Sequence, residues 1–296
     1  MGYVALDVTD VVSTEQFFTK AVNLEVSNRL NERVFLRGAI QHHFIVLQHA
    51  SRPGLGRVGM EMASHDDLDA MEQRLRERGI EVESGHAFET DRIDRYLRFQ
   101  DPSGNPLELY ADMVSMPMVP VPKRVDITDI LNVVLFQRDL QQGLEFYSQV
   151  LGLQISDWVE RKLVYLRFAN GYHHGLLLME GDPAQGPGYI NFQVPDLHQL
   201  MRARNGIQMQ KWPIAADLLK DGASGAVGFY FQNEAENITI GVCFGHEMID
   251  EDSDHRPRIL PARADTFDVW LTGLPAAEEM SAPPPVARAQ AQQAGR

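Results

Sequence analysis

Two adjacent histidines, His173 and His174, stand in Tyr172-His173-His174-Gly175, just ahead of an apolar run. An imidazole gives and takes protons near neutral pH, so a strand histidine facing a cavity is a candidate general acid or base. Successive strand residues point to opposite faces, and only one of the pair can look into such a cavity. The first half of the chain has its own pair, His42-His43, at the matching strand, so the feature also fits a property of the fold. Tyr230, in Phe229-Tyr230-Phe231, could orient a phenolic oxygen or simply cover an opening. Glu108 is the carboxylate of Leu107-Glu108-Leu109-Tyr110. Aligning Phe231-Gln232-Asn233 with Phe99-Gln100-Asp101 puts Ile240 opposite it, and isoleucine has no donor atom for a metal. Ligand-type residues crowd the stretch after the last strand: His246, Glu247, Asp250, Glu251, Asp252, Asp254 and His255. Their spacing matches no calcium loop or zinc motif, and the stretch reads as a solvated loop. Cys243, on an apolar strand, reads as core. The chain has no phosphate loop, nucleophile elbow or dinucleotide fingerprint.

These residues sit in a unit written four times. Each copy is a short alternating strand, an acidic turn and an amphipathic helix, which are the period-two and period-3.6 signatures. The copies open at Val4–Asp10, Val58–Met62, Val133–Phe136 and Ile190–Val194. An Asp at each junction (Asp10, Asp66-Asp67, Asp139, Asp196) is positioned to cap the helix that follows. Further strands, such as 33–37, 43–48, 163–168 and 175–179, make the unit β-α-β-β-β, and the units form two pairs. The expected class is α+β, with two domains that each curve an open sheet around a cavity. Closely spaced prolines at 116–123 mark a linker between domains at 1–115 and 124–272. The Ala-, Pro- and Gln-rich stretch 273–296 is expected to be disordered.

With 296 residues, 44% of them apolar, the chain can bury a sizeable core. A net charge of −14 without basic runs argues against nucleic acid as a partner. One cysteine excludes an internal disulfide framework and suits a reducing cytosol. No basic and apolar leader opens the chain and no run of about 18 apolar residues occurs, so neither secretion nor a membrane span is expected. A soluble, cytoplasmic protein is the expectation.

The paired units, closed by Asp101-Pro102-Ser103-Gly104-Asn105-Pro106-Leu107-Glu108-Leu109-Tyr110, resemble the vicinal oxygen chelate superfamily. The opening Gly2-Tyr3-Val4-Ala5-Leu6-Asp7-Val8 and the closing Asp268-Val269-Trp270 resemble its two-domain type I extradiol ring-cleavage dioxygenases. The resemblance implies an iron held in the C-terminal domain by two histidines and a glutamate. Those positions fall at Asn132, Tyr189 and Ile240, none of them a family ligand, and the N-terminal equivalents read Tyr3, Arg57 and Glu108. By the same resemblance His174 takes the place of an acid–base histidine and Tyr230 that of a substrate-binding tyrosine. Asp221 and Ser224 fall at further polar positions. The expectation is therefore an enzyme with no metal and no cofactor, acting on a small phenolic, catecholic or ring-cleavage-derived compound by histidine acid–base catalysis, as an isomerisation, hydrolysis, C–C cleavage or decarboxylation. His174 and Tyr230 would be catalytic, and Asn132, Tyr189, His173, Asp221 and Ser224 would bind substrate. Two alternatives stay open: an iron dioxygenase with displaced ligands, drawing on His173, His174 or Asp221, and a non-catalytic aromatic-binding protein. The superfamily commonly forms homo-oligomers through its sheet edges.

Overall fold

The computed structural model describes residues 1–117, 124–250 and 253–273. The expected proline-rich linker, from 118 to 123, and the expected tail, from 274 onward, lie outside them.

The first half forms an eight-stranded sheet from β1 (Tyr3–Val8), β2 (Glu25–Leu30), β3 (Arg33–Arg37), β4 (Ile45–His49), β5 (Gly54–Glu61), β6 (Glu83–Ala87), β7 (Ile93–Gln100) and β8 (Pro106–Met113). Its order is β2-β3-β4-β1-β5-β8-β7-β6. The second half repeats that order with β9 (Asp129–Gln137), β10 (Gln154–Val159), β11 (Leu163–Arg167), β12 (Leu176–Glu180), β13 (Ile190–Gln193), β14 (Ile214–Lys220), β15 (Val227–Asn233) and β16 (Ile238–Phe244). A short strand that sequence reasoning missed, β17 (Arg258–Leu260), adds parallel to β10 at the edge. In both sheets the two units meet where their opening strands pair antiparallel, β1 with β5 and β9 with β13. The sheets are mixed, with helices on one side, and curl into half-barrels, the expected α+β architecture.

The junction aspartates cap three of the helices. Asp10 accepts from Ser13 N–H, Asp139 from Gln142 N–H and Asp196 from Gln199 N–H. In the second unit the cap is Ser64 rather than Asp66-Asp67, and Asp67 accepts the Ser64 hydroxyl in return at 2.6 Å.

Each half lends a helix to the other. Phe17, following the Val11–Gln16 helix, meets Trp212 at 4.9 Å and Phe231 at 5.6 Å between ring centres. Phe146, following the Leu140–Glu145 helix, meets Phe99 at 6.2 Å. Tyr147 donates to Asp101 at 3.0 Å, and the Glu236 carboxylate accepts from the N–H groups of Thr9 and Asp10 at 2.8 Å each. One continuous core therefore runs through both halves, holding the concave faces in fixed relation.

Candidate active site

The concave face of the second sheet encloses a cavity of about 50 Å³, walled by Asn132, Tyr165, His174, Tyr189, Asn191, Asp221, Ser224, Tyr230, Cys243 and His246 among others. Six of the seven residues singled out from the sequence meet on it: Asn132, His174, Tyr189, Asp221, Ser224 and Tyr230. The seventh, His173, stands directly behind His174. A larger cleft, about 810 Å³, has Met60, Met62, Met71, Leu151 and Phe168 in its wall. The clustered imidazoles and tyrosine hydroxyls belong to the smaller cavity.

Strand register corrects the ligand positions. Asn132 pairs with Asn191, and Asn191 with Gly241, so these three residues share one face. Ile190 and Ile240 pair with each other and point the opposite way, into the core. Ile240 would match Glu108 only if the two hairpins were equal, but Tyr230 faces Gly241 whereas Arg98 faces Glu108. The β15–β16 connection is thus one residue longer than that between β7 and β8. The N-terminal equivalents become Tyr3, Gly59 and Glu108, with Gly59 in place of the expected Arg57. There the Glu108 carboxylate accepts from Tyr3 at 2.6 Å and Arg98 at 2.7 Å, with Arg57 at 3.3 Å, so buried charge fills that concavity.

Neither trio suits a metal. Asn132 and Asn191 offer neutral amides and Gly241 offers nothing. A Cβ on Gly241 would lie 1.7 Å from Asn191 Oδ1 and 2.7 Å from the Tyr230 ring, so no ligating side chain fits.

Instead a hydrogen-bond chain runs inward from the cavity. Asn191 donates its amide N–H to Asn132 Oδ1 at 3.1 Å, and the Asn132 amide lies 3.1 Å from His174 Nε2. With the Asn132 oxygen taken, its NH₂ donates to His174 Nε2. The His174 proton is then on Nδ1, 3.0 Å from His173 Nδ1. His173 in turn carries its proton on Nε2 and donates to Asp157 at 3.0 Å. His174 is held neutral, its pKa lowered well below the ordinary imidazole value by burial and then by His246 and His173. Burial brings His246 down to about 4, and its Nε2 has no partner. Tyr230 is raised, chiefly by burial, and its hydroxyl lies 3.4 Å from the Asn191 amide.

Asp157, His173 and His255 bring one carboxylate and two imidazoles together, with ligand atoms within 4.8 Å of one another. Sequence reasoning missed Asp157, Asn191 and Arg258, and placed His246 and His255 in a solvated loop. His246 is in fact buried in the cavity wall and His255 is half-buried against β10. One signal was available: Asn191 is the polar member of Ile190-Asn191-Phe192, on the face opposite its apolar neighbours.

A sheet of this order, with paired β-α-β-β-β units and imidazoles on its concave face, defines a class, and comparison with known proteins agrees. Residues 57–113 match the catechol 2,3-dioxygenase-like N-terminal domain, and residues 129–239 the glyoxalase/bleomycin resistance protein/dioxygenase superfamily. Residues 129–239 thus form a domain of that superfamily, also called vicinal oxygen chelate. It is 26% identical over 194 residues to a biphenyl-2,3-diol 1,2-dioxygenase of Pseudomonas sp., covering 60% of this chain and 66% of the relative, just under two thirds of its length. It is 28% identical over 125 residues to a manganese-dependent 2,3-dihydroxybiphenyl 1,2-dioxygenase of Geobacillus genomosp. 3, covering 42% and 39% of the two chains. The fold matches the Mn(II)-bound glyoxalase from Novosphingobium aromaticivorans with a TM-score of 0.83 at 21% identity, covering 95% of this chain and 93% of that one.

These findings overturn the metal-independent reading. Relatives are named as ring-cleaving dioxygenases, one of them manganese-dependent, and the domain carries a two-imidazole, one-carboxylate donor set. The vacated family positions are not the whole inventory of donors: the displaced-ligand alternative, which drew on His173, His174 or Asp221, is the better supported, with His173 in the donor set beside Asp157 and His255. No described helix is long and apolar enough to cross a membrane.

Proposed function

We propose that the C-terminal cavity performs metal-dependent ring cleavage of an aromatic vicinal diol, as an extradiol-type dioxygenase with displaced metal donors. The observation that carries this reading is the Asp157, His173 and His255 set immediately behind His174. Two imidazoles and a carboxylate are the donor class of divalent iron and manganese oxygenases, and bound there such a metal supplies a centre where a diol and O₂ are activated together.

The protein's own groups have defined tasks. His174 Nε2 is the imidazole atom on the cavity wall, and it hydrogen-bonds a diol oxygen once the Asn132 amide turns from it to the substrate. The Tyr230 hydroxyl donates to the neighbouring diol oxygen, and the rings of Tyr165 and Tyr189 flank the aromatic plane. In the reaction one ring C–C bond beside the diol breaks, both atoms of O₂ enter the product, and no separate reductant is consumed.

At about 50 Å³ the cavity is a third of the roughly 150 Å³ that holds benzene in a protein core. A ring enters only if side chains such as His174, Asn132 or Tyr189 turn aside. The single cysteine, buried at Cys243, suits the cytoplasmic setting we infer.

The test loads the chain with Fe(II) or Mn(II) without oxygen, then offers catechol, 2,3-dihydroxybiphenyl or 1,2-dihydroxynaphthalene in air. Absorbance of a ring-opened product should appear with at least one diol and be lost in His174→Ala. Silence toward all three at full metal occupancy rejects the reading.

A further inference from the structure

Asp157 is a fully buried carboxylate on β10, and a buried charge needs a partner. Three groups converge on it. Arg258 Nε lies 3.1 Å from Oδ1 and 3.0 Å from Oδ2, a guanidinium NH₂ also donates to Oδ2, and the Arg258 backbone N–H donates to Oδ1 at 2.7 Å. His173 approaches from inside, through Nε2 at 3.0 Å. His255 completes the group, its Nε2–H donating to the Ser156 carbonyl at 2.9 Å. An imidazole anchored in this way by one nitrogen keeps a lone pair on the other, as metal-binding histidines do.

The guanidinium stands where a cation belongs. Its side chain is 46% exposed while the carboxylate is not exposed at all, so the long arm of Arg258 reaches in from water and can withdraw into it. Because Arg258 and His255 come from one short segment around β17, withdrawal of the arginine opens the carboxylate beside the second imidazole. We propose that Asp157, His173 and His255 form a divalent transition-metal site, and that the Arg258 guanidinium is the resident cation that a metal displaces. Nitrogen and carboxylate donors in a two-to-one ratio select the iron, manganese, cobalt and zinc class over calcium or magnesium. This deepens the reading of the preceding section and gives its metal an address that is not the Asn132, Asn191 and Gly241 face.

Occupancy of this site is felt in the cavity. A metal on His173 Nε2 replaces the proton there. His173 must then carry its hydrogen on Nδ1 and donate to His174 Nδ1, which moves the His174 hydrogen to Nε2. Each imidazole still holds one proton. His174 now donates toward Asn132, whose amide turns to offer its oxygen and points its NH₂ at Asn191. Asn191 Oδ1, which has no hydrogen-bond partner in the metal-free arrangement, then gains one. The metal thus converts His174 from acceptor to donor at the cavity wall.

The test strips the full chain with chelator and titrates Co(II), followed by calorimetry and by the visible bands cobalt acquires with nitrogen ligands. One cobalt per chain is expected. His255→Gln should weaken binding at least tenfold. Arg258→Met should tighten it at least tenfold, and its apo form should melt lower than wild type and recover on adding cobalt. Imidazole ¹⁵N shifts should report His174 changing tautomer on loading. Absence of stoichiometric cobalt in both wild type and Arg258→Met, or binding unchanged by His255→Gln, overturns the site. Cobalt, iron or manganese bound as described, with no O₂ uptake on any diol, leaves this site standing and defeats only the dioxygenase reading.

Discussion

Replacing Glu108 by Gln probes the concave face of the first half, where the fold buries a charged network. The Glu108 side chain is 0% exposed, while Arg57 and Arg98 beside it are 15% and 24% exposed. Burial opposes their charge, but Tyr3 and Glu108 together raise the Arg57 pKa, and Glu108, with a smaller part from Tyr3, raises that of Arg98. The substitution keeps the shape and removes the charge, leaving two largely buried guanidinium groups with reduced compensation. Breaking a buried pair from one side costs about 3–5 kcal/mol. Asp91 still pairs with Arg98 at 3.1 Å, which places the cost near the lower end, about 3 kcal/mol. At roughly 2–4 °C per kcal/mol for a chain of this scale, the melting temperature should fall by about 6–12 °C. Urea and thermal unfolding followed by circular dichroism measure both quantities. A double-mutant cycle with Arg98→Met should show coupling above about 1 kcal/mol, because the second change removes the charge that the first stranded. A loss below about 1 kcal/mol, or a cycle with no coupling, would show that this network is water-screened and that our account of the first half is wrong.

Other consequences are simpler to check. His42 is brought down to about 4 by burial and then by Arg92 and Arg37, and His43 is also lowered, chiefly by burial. Between pH 6.5 and about 4 the unfolded chain binds protons that the folded chain refuses. Stability should therefore fall as pH drops through that window, by up to about 1.4 kcal/mol per pH unit for each group, and His42→Gln should flatten the slope in unfolding titrations. Gly241→Ala must push aside the Asn191 amide and should weaken diol binding at least tenfold by calorimetry. Phe17→Ala empties a fully buried ring site between the halves and should cost about 3–5 kcal/mol in chemical denaturation. Cys243, raised to about 12 chiefly by burial, should resist alkylation at pH 8 in the native protein and react once unfolded.

The fold was legible because its signals are local. Alternating apolar strands, the caps at Asp10, Asp139 and Asp196 and the fourfold repetition each follow from backbone geometry over a few residues. The cavity was largely legible too, since Asn132, His174, Tyr189, Asp221, Ser224 and Tyr230 could be carried over by resemblance. Register was not. One extra residue between β15 and β16 moves the counted position from the cavity face, at Gly241, to the core face, at Ile240, and nothing within the strands announces it. Nor was the Asp157, His173 and His255 set. Asp157 and His173 are 16 residues apart, but His255 lies far along the chain and meets them only because β17, three residues long, adds to the sheet edge. A stretch dense in charge, such as 246–255, looks solvated in one dimension, and only tertiary packing shows that His246 is enclosed while Glu247 and Asp250 are exposed.

The measurement that bears most directly on the central claim is the fate of ¹⁸O₂ during turnover of a vicinal diol by the iron- or manganese-loaded chain. Metal-dependent ring cleavage predicts one O₂ consumed per diol, both labelled atoms in the ring-opened product, and loss of uptake on chelation. Full metal occupancy with unlabelled product, or with no oxygen consumed, would contradict it.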